Sequence, residues 1–171
     1  MLIERLRVTT TTLPLDRATD ETIAHVYGLW IARRGGRAMP APGALLPEEF
    51  GVALGKVNLL DVLHDPLRFV FRVRGSIISG VNDQDMRDRD VSEMQPPEYR
   101  DMLLAHYTEV VASGVPSHYL IRQSRNGVIN EYRRMILPLG NAAGTVERLL
   151  SVSAWGPGFA RKAVLLGLKR R

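Results

Sequence analysis

The residues best suited to chemistry are arginines in segments patterned like β-strands. A guanidinium group presents a planar fork of donors that binds a carboxylate or a phosphate through two parallel hydrogen bonds. Arginines that point into a cavity would hold an anionic ligand, whereas arginines on an open sheet face would pair with acids on neighbouring strands. The arginines are Arg72, Arg74, Arg122, Arg133 and Arg134, and the acids are Asp61, Glu131 and Glu147.

The adjacent pair Arg133 and Arg134 narrows this choice. Neighbouring residues of a strand point to opposite faces of a sheet. In the predicted strand, Tyr132, Arg134 and Ile136 share one face, and Arg133 lies on the other. One of the two arginines therefore faces the interior or an interface.

His106 is the histidine best placed for ligand binding. It lies on the apolar face of a predicted helix, next to Tyr107 and one turn from Leu103. A neutral imidazole in an apolar pocket is a suitable axial ligand for haem. The alternative is a core histidine with one hydrogen bond to a backbone carbonyl, and a single histidine does not decide between them.

The acidic segment 82–90 resembles a calcium-binding loop only in composition. Such loops need glycine at the sixth position and a bidentate glutamate at the twelfth. Counting from Asp83, these positions hold Asp88 and Met94. With Arg87 among the acids, the segment is predicted to be a solvated loop that pairs with itself.

Several classes of chemistry are absent from the sequence. The chain has no cysteine, which excludes disulfides, thiolate zinc sites and cysteine nucleophiles. It also excludes cofactors held through a thiol, including flavin–thiol adducts. Motifs of serine hydrolases, zinc proteases, phosphate-binding loops and dinucleotide-binding turns are missing. We therefore predict that the protein is not an enzyme, and we predict no cofactor.

The net charge of +5 does not indicate a basic binding face. Residues 1–157 are neutral overall, and a predicted basic tail at 158–171 carries the whole excess. A short tail of this kind binds membranes weakly and nucleic acid only non-specifically. We predict no specific nucleic-acid binding, no stable membrane association and a cytoplasmic location, because no apolar run or signal segment appears.

The segment 56–80 organises the prediction of the fold. It contains an apolar strand at 57–63, a turn at His64–Pro66 and a second strand at 67–74. Alternation in the second strand predicts that Phe69, Phe71 and Val73 point one way while Val70, Arg72 and Arg74 point the other. Together these elements form a β-hairpin.

Two helices and three more strands complete the prediction. The first helix follows Asp20 as N-cap and ends at Gly35–Gly36, and the second begins after Pro96–Pro97 and stops at Ser113–Gly114. Three strands follow at 117–123, 128–139 and 145–155, with Asn126–Gly127 as a hairpin turn. The predicted class is α+β: a five-stranded antiparallel sheet with helices on one face, plus an N-terminal helix and a short C-terminal tail.

This order of elements resembles a PAS domain, and more narrowly the single-domain PAS-like proteins of the alphaproteobacterial type. The resemblance spans about residues 20–155. It implies a cytoplasmic sensory or regulatory module that binds a small ligand or a signalling partner. The matching residues are Trp30, Arg33 and Gly36, Pro40, the segments 57–62 and 68–72, Gly75, and the segment 134–139.

The candidate ligand-binding residues follow from the resemblance and the strand pattern together. Arg72 and Arg134 are the first candidates for an anionic ligand, since both lie in the PAS-like segments. The full candidate set is Phe71, Arg72, His106, Tyr132 and Arg134. The alternative function is a dimerising interaction module with a filled core and no small ligand.

The predicted organisation has three parts. An arm at 1–19 precedes a PAS-like domain at 20–157, and the basic tail follows. Within the domain, the N-terminal helix occupies 20–36, and the sheet and its helices occupy 56–155. The apolar stripe of helix 20–34 favours a homodimer, with packing within one chain as the alternative, and the signalling partner is not identified by the sequence.

Overall fold

The structure is a computed structural model that describes residues 4–18, 20–76 and 85–168. The strands are β1 (Arg7–Leu13), β2 (Val57–Leu63), β3 (Arg68–Arg74), β4 (Ser117–Arg125), β5 (Val128–Gly140) and β6 (Val146–Trp155), and the α-helices are α1 (Glu21–Arg34), α2 (Pro97–Ser113) and α3 (Phe159–Leu165). Short 3₁₀ segments lie at Leu15–Arg17, Pro47–Lys56 and Val91–Glu93.

The strands form one antiparallel sheet in the order β1-β4-β5-β6-β2-β3. The α+β class is confirmed, but the prediction of five strands is wrong because β1 adds a sixth. It pairs with β4 from Arg7 opposite Ser124 to Leu13 opposite His118. Its threonine run suits an exposed edge strand, but it has no apolar alternation by which a strand is recognised in the sequence.

Local signals fix the ends of the helices. The Asp20 side chain accepts a hydrogen bond from the Ile23 amide at 3.1 Å and caps α1. α1 ends where Gly35 takes a positive φ of 56°, and α2 ends where Gly114 takes 68°. Both endings need backbone conformations that glycine adopts without steric cost.

The sheet is covered on both faces. The face that carries Tyr119 and Arg134, here called the inner face, packs against α2. The opposite, outer face is covered by α1 and the segment Pro47–Lys56. The indole of Trp30 anchors α1 there, since its Nε1–H donates to the Pro138 carbonyl at 2.8 Å and only 2% of the residue is exposed.

The C-terminal helix α3 also packs on the sheet. The Phe159 ring stacks on Trp155 at 4.9 Å and meets the edge of Tyr132 at 5.3 Å. Arg125 donates to the Leu166 carbonyl at 2.7 Å. The domain boundaries at 20 and 157 stay predictions, and residues 169–171 of the predicted tail lie outside the described residues. No helix in the described ranges is long and apolar enough to cross a membrane.

Gly140 occupies a position where the backbone of β5 passes very close to its surroundings. A Cβ added there would lie 2.0 Å from the Thr145 carbonyl oxygen and 2.6 Å from Met39 Sδ. Real Cβ atoms do not approach a backbone oxygen this closely, so any side chain would force the 140–145 turn apart.

We expect Gly140→Ala to lower the free energy of unfolding by about 3 kcal/mol, the upper range for overpacking. Urea denaturation measures this change. Gly43→Ala is the matched control, because a Cβ at Gly43 meets nothing within 4 Å. Equal stability of the two variants would contradict the close approach.

Candidate functional site

Arg134 lies at the centre of the inner face and is the most deeply buried charge there. It occupies β5, and 4% of the residue is exposed. Its Nη2 donates to the hydroxyl of Tyr99 at 2.9 Å and to the hydroxyl of Tyr132 at 3.2 Å. We call Arg134, Tyr99, Tyr107 and Tyr132 the arginine–tyrosine cluster.

Two elements assemble this cluster. Residues 132 and 134 of β5 share the inner face because strand side chains alternate. Tyr99 and Tyr107 lie two helical turns apart on α2, so both reach the same face of the sheet. The first turn of α2, after Pro96 and Pro97, therefore sets the position of the Tyr99 hydroxyl above Arg134.

Phenol oxygens stabilise the positive charge of Arg134. Burial disfavours the charged guanidinium, but the neighbouring oxygens of Tyr132, Tyr99 and Tyr107 outweigh burial and raise the pKa of Arg134. Burial likewise opposes ionisation of Tyr99, yet the positive charge of Arg134 lowers the pKa of this phenol. Burial raises the pKa of Tyr132 well above its ordinary value. The two phenols beside Arg134 thus differ in acidity.

Not every nitrogen of the Arg134 guanidinium has a hydrogen-bond partner. Its Nη1 is buried and has no hydrogen-bond partner. Within the described ranges, Arg134 forms no ion pair with an acid. Ser153 lies beside it on β6 and is 4% exposed. The groups in contact with this buried cation, the two tyrosine hydroxyls and the neighbouring Ser153, are thus neutral and polar.

Arg74 adds a second positive charge near this cluster. Burial lowers its pKa, and Tyr99, Tyr107 and Arg134 all act on it electrostatically. Its guanidinium lies 5.4 Å from the Phe71 ring. Sequence reasoning counted Arg74 among the strand arginines but did not select it, and it also missed Tyr99 and Tyr107.

A β-bulge places Arg74 on the inner face. The pairing of β2 with β3 shifts between Leu59 and Leu60, so Leu60 faces Phe71 while Asn58 faces Arg74. Phe71 and Arg74 therefore share the inner face, and Val73 lies on the outer face opposite Leu59. The predicted alternation, with Val73 beside Phe71, is wrong because an extra residue interrupts it.

That extra residue is Arg72, which lies apart from Arg134. Its Nε donates to Asp61 at 2.6 Å and its Nη1 to Asp88 at 3.2 Å. These acids raise the pKa of Arg72, and 44% of its side chain is exposed. The structure thus separates the two arginines that were chosen together, and Arg72 adopts the cross-strand pairing that was the alternative.

His106 and Phe71 are both buried on the inner side. The His106 ring stacks on Tyr119 at a centroid distance of 3.7 Å with an interplanar angle of 1°. Tyr119 in turn donates to Glu109 at 2.8 Å. Burial, helped by the charge of Arg134, lowers the pKa of His106 to about 4, so the imidazole is neutral near pH 7. Phe71 is 1% exposed.

The sequence predicts a solvated loop and no calcium site at 82–90. The structure describes only part of this segment, because residues 82–84 lie outside its described ranges. Asp90 caps the 3₁₀ segment Val91–Glu93 through a bond from the Ser92 amide at 2.8 Å. Arg89 pairs with Glu93 at 3.0 Å. Among the residues that the structure describes, no group of three or more potential ligands could hold a metal ion.

Comparison with known proteins gives a family match. A family model described as PAS domain matches residues 18–154, and no curated protein matches. Similar solved structures include a light-oxygen-voltage (LOV) domain studied with a flavin analogue, at 15% identity and TM-score 0.48, covering 70% of this chain and 90% of that one. The dark structure of the photoreceptor Aureochrome1 LOV matches at 14% identity and TM-score 0.45, covering 67% and 86%. An RNA-binding LOV receptor matches at 16% identity and TM-score 0.45, covering 95% of this chain and 42% of that one.

The low pKa of His106 predicts a pH dependence of stability. Its pKa is about 4 in the fold against 6.5 for the free side chain, so the unfolded chain takes up the proton first as the pH falls. Stability is thus independent of His106 above about pH 7 and decreases between about pH 6.5 and 4. When the pH is lowered from about 7.5 to 5.0, we expect the free energy of unfolding of wild type to fall by about 1 kcal/mol more than that of His106→Gln, after allowance for solvent screening. Urea unfolding at both pH values measures the difference, and equal losses would contradict it.

Proposed function

Since the chain belongs to the PAS domain family, we propose that it is a sensory module that binds a small carboxylate on the inner face of its sheet. PAS domains are sensory modules that typically bind ligands or mediate signalling. The resemblance inferred from the sequence is confirmed at the level of the family, whereas the alphaproteobacterial grouping and the cytoplasmic location stay predictions.

One observation carries the proposal: among the residues that the structure describes, the Arg134 guanidinium is buried without an acid and its Nη1 has no hydrogen-bond partner. Burying a charge costs several kcal/mol unless other groups replace the lost water. Two phenol oxygens on Nη2 replace part of it. An anion at Nη1 would replace the rest and form a charge-assisted hydrogen bond, which is about twice as strong as a neutral one.

The neighbouring residues favour a small monoanion with an apolar or aromatic body. Tyr99 offers the hydroxyl that accepts from the neighbouring Nη2 of the same guanidinium, so a carboxylate could bind Nη1 and this hydroxyl at once. Tyr107 and Phe71 would contact the body of the ligand. Nothing in this arrangement supplies a general base or a nucleophile with a partner, and we propose binding without catalysis.

Signalling would follow from the two elements that meet at the ligand. The cluster joins β5 to α2, so an occupant would favour one packing of α2 on the sheet. A ligand shifts a conformational equilibrium by its difference in affinity for the two states. Because the chain has no cysteine, the proposed signal does not involve a flavin–thiol adduct.

The second candidate function is a dimerising interaction module. The stripe on α1 that suggested a dimer is largely used within the chain, since Ile23, Val26 and Trp30 are at most 2% exposed. Ile31 remains 43% exposed on α1 and is available to a second copy. The homodimer through helix 20–34 stays a prediction.

Native mass spectrometry of freshly purified protein, followed by denaturing mass spectrometry, tests the ligand proposal. We expect an extra mass that is lost on denaturation. Arg134→Gln should abolish it, because the anion loses its charged partner. Arg122→Gln is the matched control, since Arg122 is an exposed strand arginine facing Glu131 at 3.8 Å, and it should retain the mass.

Tyr99→Phe covers the case in which Arg134→Gln does not fold, since it deletes only the hydroxyl that accepts from Nη2 of Arg134. Benzoate at millimolar concentration then serves as a probe for a ligand lost in purification. We expect benzoate to raise the melting temperature of wild type and to have a smaller effect on Tyr99→Phe. A bare mass together with no response to benzoate would refute the carboxylate proposal, and a concentration-dependent dimer would then favour the interaction module.

A further inference from the structure

A second concave site lies on the outer face of the sheet, separate from Arg134. It is a partly enclosed pocket of about 260 Å³ between the sheet and the segment Pro47–Lys56. Leu59, Val73 and Leu150 form the side provided by β2, β3 and β6, and Leu45, Phe50 and Leu54 cover it from the connecting segments. Among the described residues that line it, Arg148 is the only charged one.

Exposed apolar side chains are concentrated around this pocket. Nine large hydrophobic residues are exposed among those that the structure describes. Leu46, Leu54 and Val73 line the pocket at 49%, 47% and 46% exposure, and Val52 in the covering segment is 77% exposed. Single exposed hydrophobics are ordinary, whereas a group of them around a concavity marks a binding site.

Arg148 places a cation at the rim of the pocket. Its Nε donates to Asp61 at 3.0 Å, and Asp61 also accepts from Arg72 at 2.6 Å. One carboxylate is thus shared by two guanidinium groups, and 40% of the Arg148 side chain is exposed. The guanidinium has two further nitrogens, Nη1 and Nη2, which have the capacity to bind an acidic group.

We propose that this outer pocket binds an anionic amphiphile, a molecule with an apolar body such as a short fatty acyl chain and one acidic head group at Arg148. The apolar walls bury the body, and the arginine fixes the orientation. Pockets for drug-sized ligands measure about 300–1,000 Å³, so a volume of about 260 Å³ suits a medium-length chain or a small ring system rather than a long lipid tail.

The two sites are independent in location. Arg134 faces the inner side, while Leu59 and Leu150 face the outer side of the same sheet. Closing the outer pocket therefore leaves the arginine–tyrosine cluster in place. Failure of one site in an experiment does not imply failure of the other.

Isothermal titration calorimetry with decanoate, below its micelle-forming concentration, tests the proposal, with decanol as the uncharged probe. Val73→Trp fills the mouth of the pocket and should weaken decanoate binding at least about tenfold, a loss of about 1.4 kcal/mol. Ile129→Trp is the matched control, since Ile129 is an exposed β-branched strand residue at 40% exposure outside the pocket lining, and it should bind as wild type does.

The head group is tested by Arg148→Gln. We expect about fivefold weaker binding of decanoate and unchanged binding of decanol, which has no charge to lose. Because decanoate is itself a carboxylate, it could also bind at the inner site, and Arg134→Gln detects such binding. Decanoate binding at the outer pocket must be unchanged in this variant.

Three results would overturn the proposal. Wild type that does not bind decanoate has no such site, and decanoate binding that survives Val73→Trp takes place elsewhere. A dimer that is seen by analytical ultracentrifugation and lost in Val73→Trp, without decanoate binding to wild type, assigns the pocket to a second copy of the chain.

Discussion

Burial of the Arg134 guanidinium is the constraint on which the interior arrangement depends. A charge removed from water needs substitutes for its hydration, and here they come from two different elements, Tyr132 on β5 and Tyr99 on α2. The position of α2 over the sheet is therefore tied to one cation. A hydrophobic side chain at this position would pack without restricting the tyrosine hydroxyls, so the arginine makes the interior specific in a way that apolar packing does not.

The alternation of strand residues lets one sheet carry two unlike environments. On β6, Leu150 faces the outer pocket while Ser151 faces inward; on β3, Val73 and Arg74 divide in the same way. A shift of one residue in register would exchange the two sets completely. The β-bulge in the β2–β3 pairing interrupts the alternation after Phe71, so Arg74 faces inward where regular alternation would direct it outward.

Local signals made much of the fold predictable from the sequence, including the N-cap at Asp20, the glycines that end α1 and α2, and the Asn126–Gly127 turn. These features depend on a few adjacent residues. The strand β1 depends on pairing with the distant β4, and the β-bulge depends on how β3 pairs with β2. Neither leaves a periodic trace in the chain. Arg134 and Arg72 were chosen because both lie in the PAS-like segments. Arg74 lies just outside the segment 68–72, and the sequence does not show that alternation is interrupted before it.

The two proposed sites lie on opposite faces of one sheet. Asn58 and Leu59 of β2, like Ser151 and Leu150 of β6, are adjacent residues on opposite sides. A ligand at Arg134 that shifts α2 alters the inner contacts of these strands, and the outer pocket is built on the same backbone. If occupation of one site changes affinity at the other, the change must be equal in both directions. An anion inside and an amphiphile outside would then be mutual effectors, and the sheet would be their coupling element.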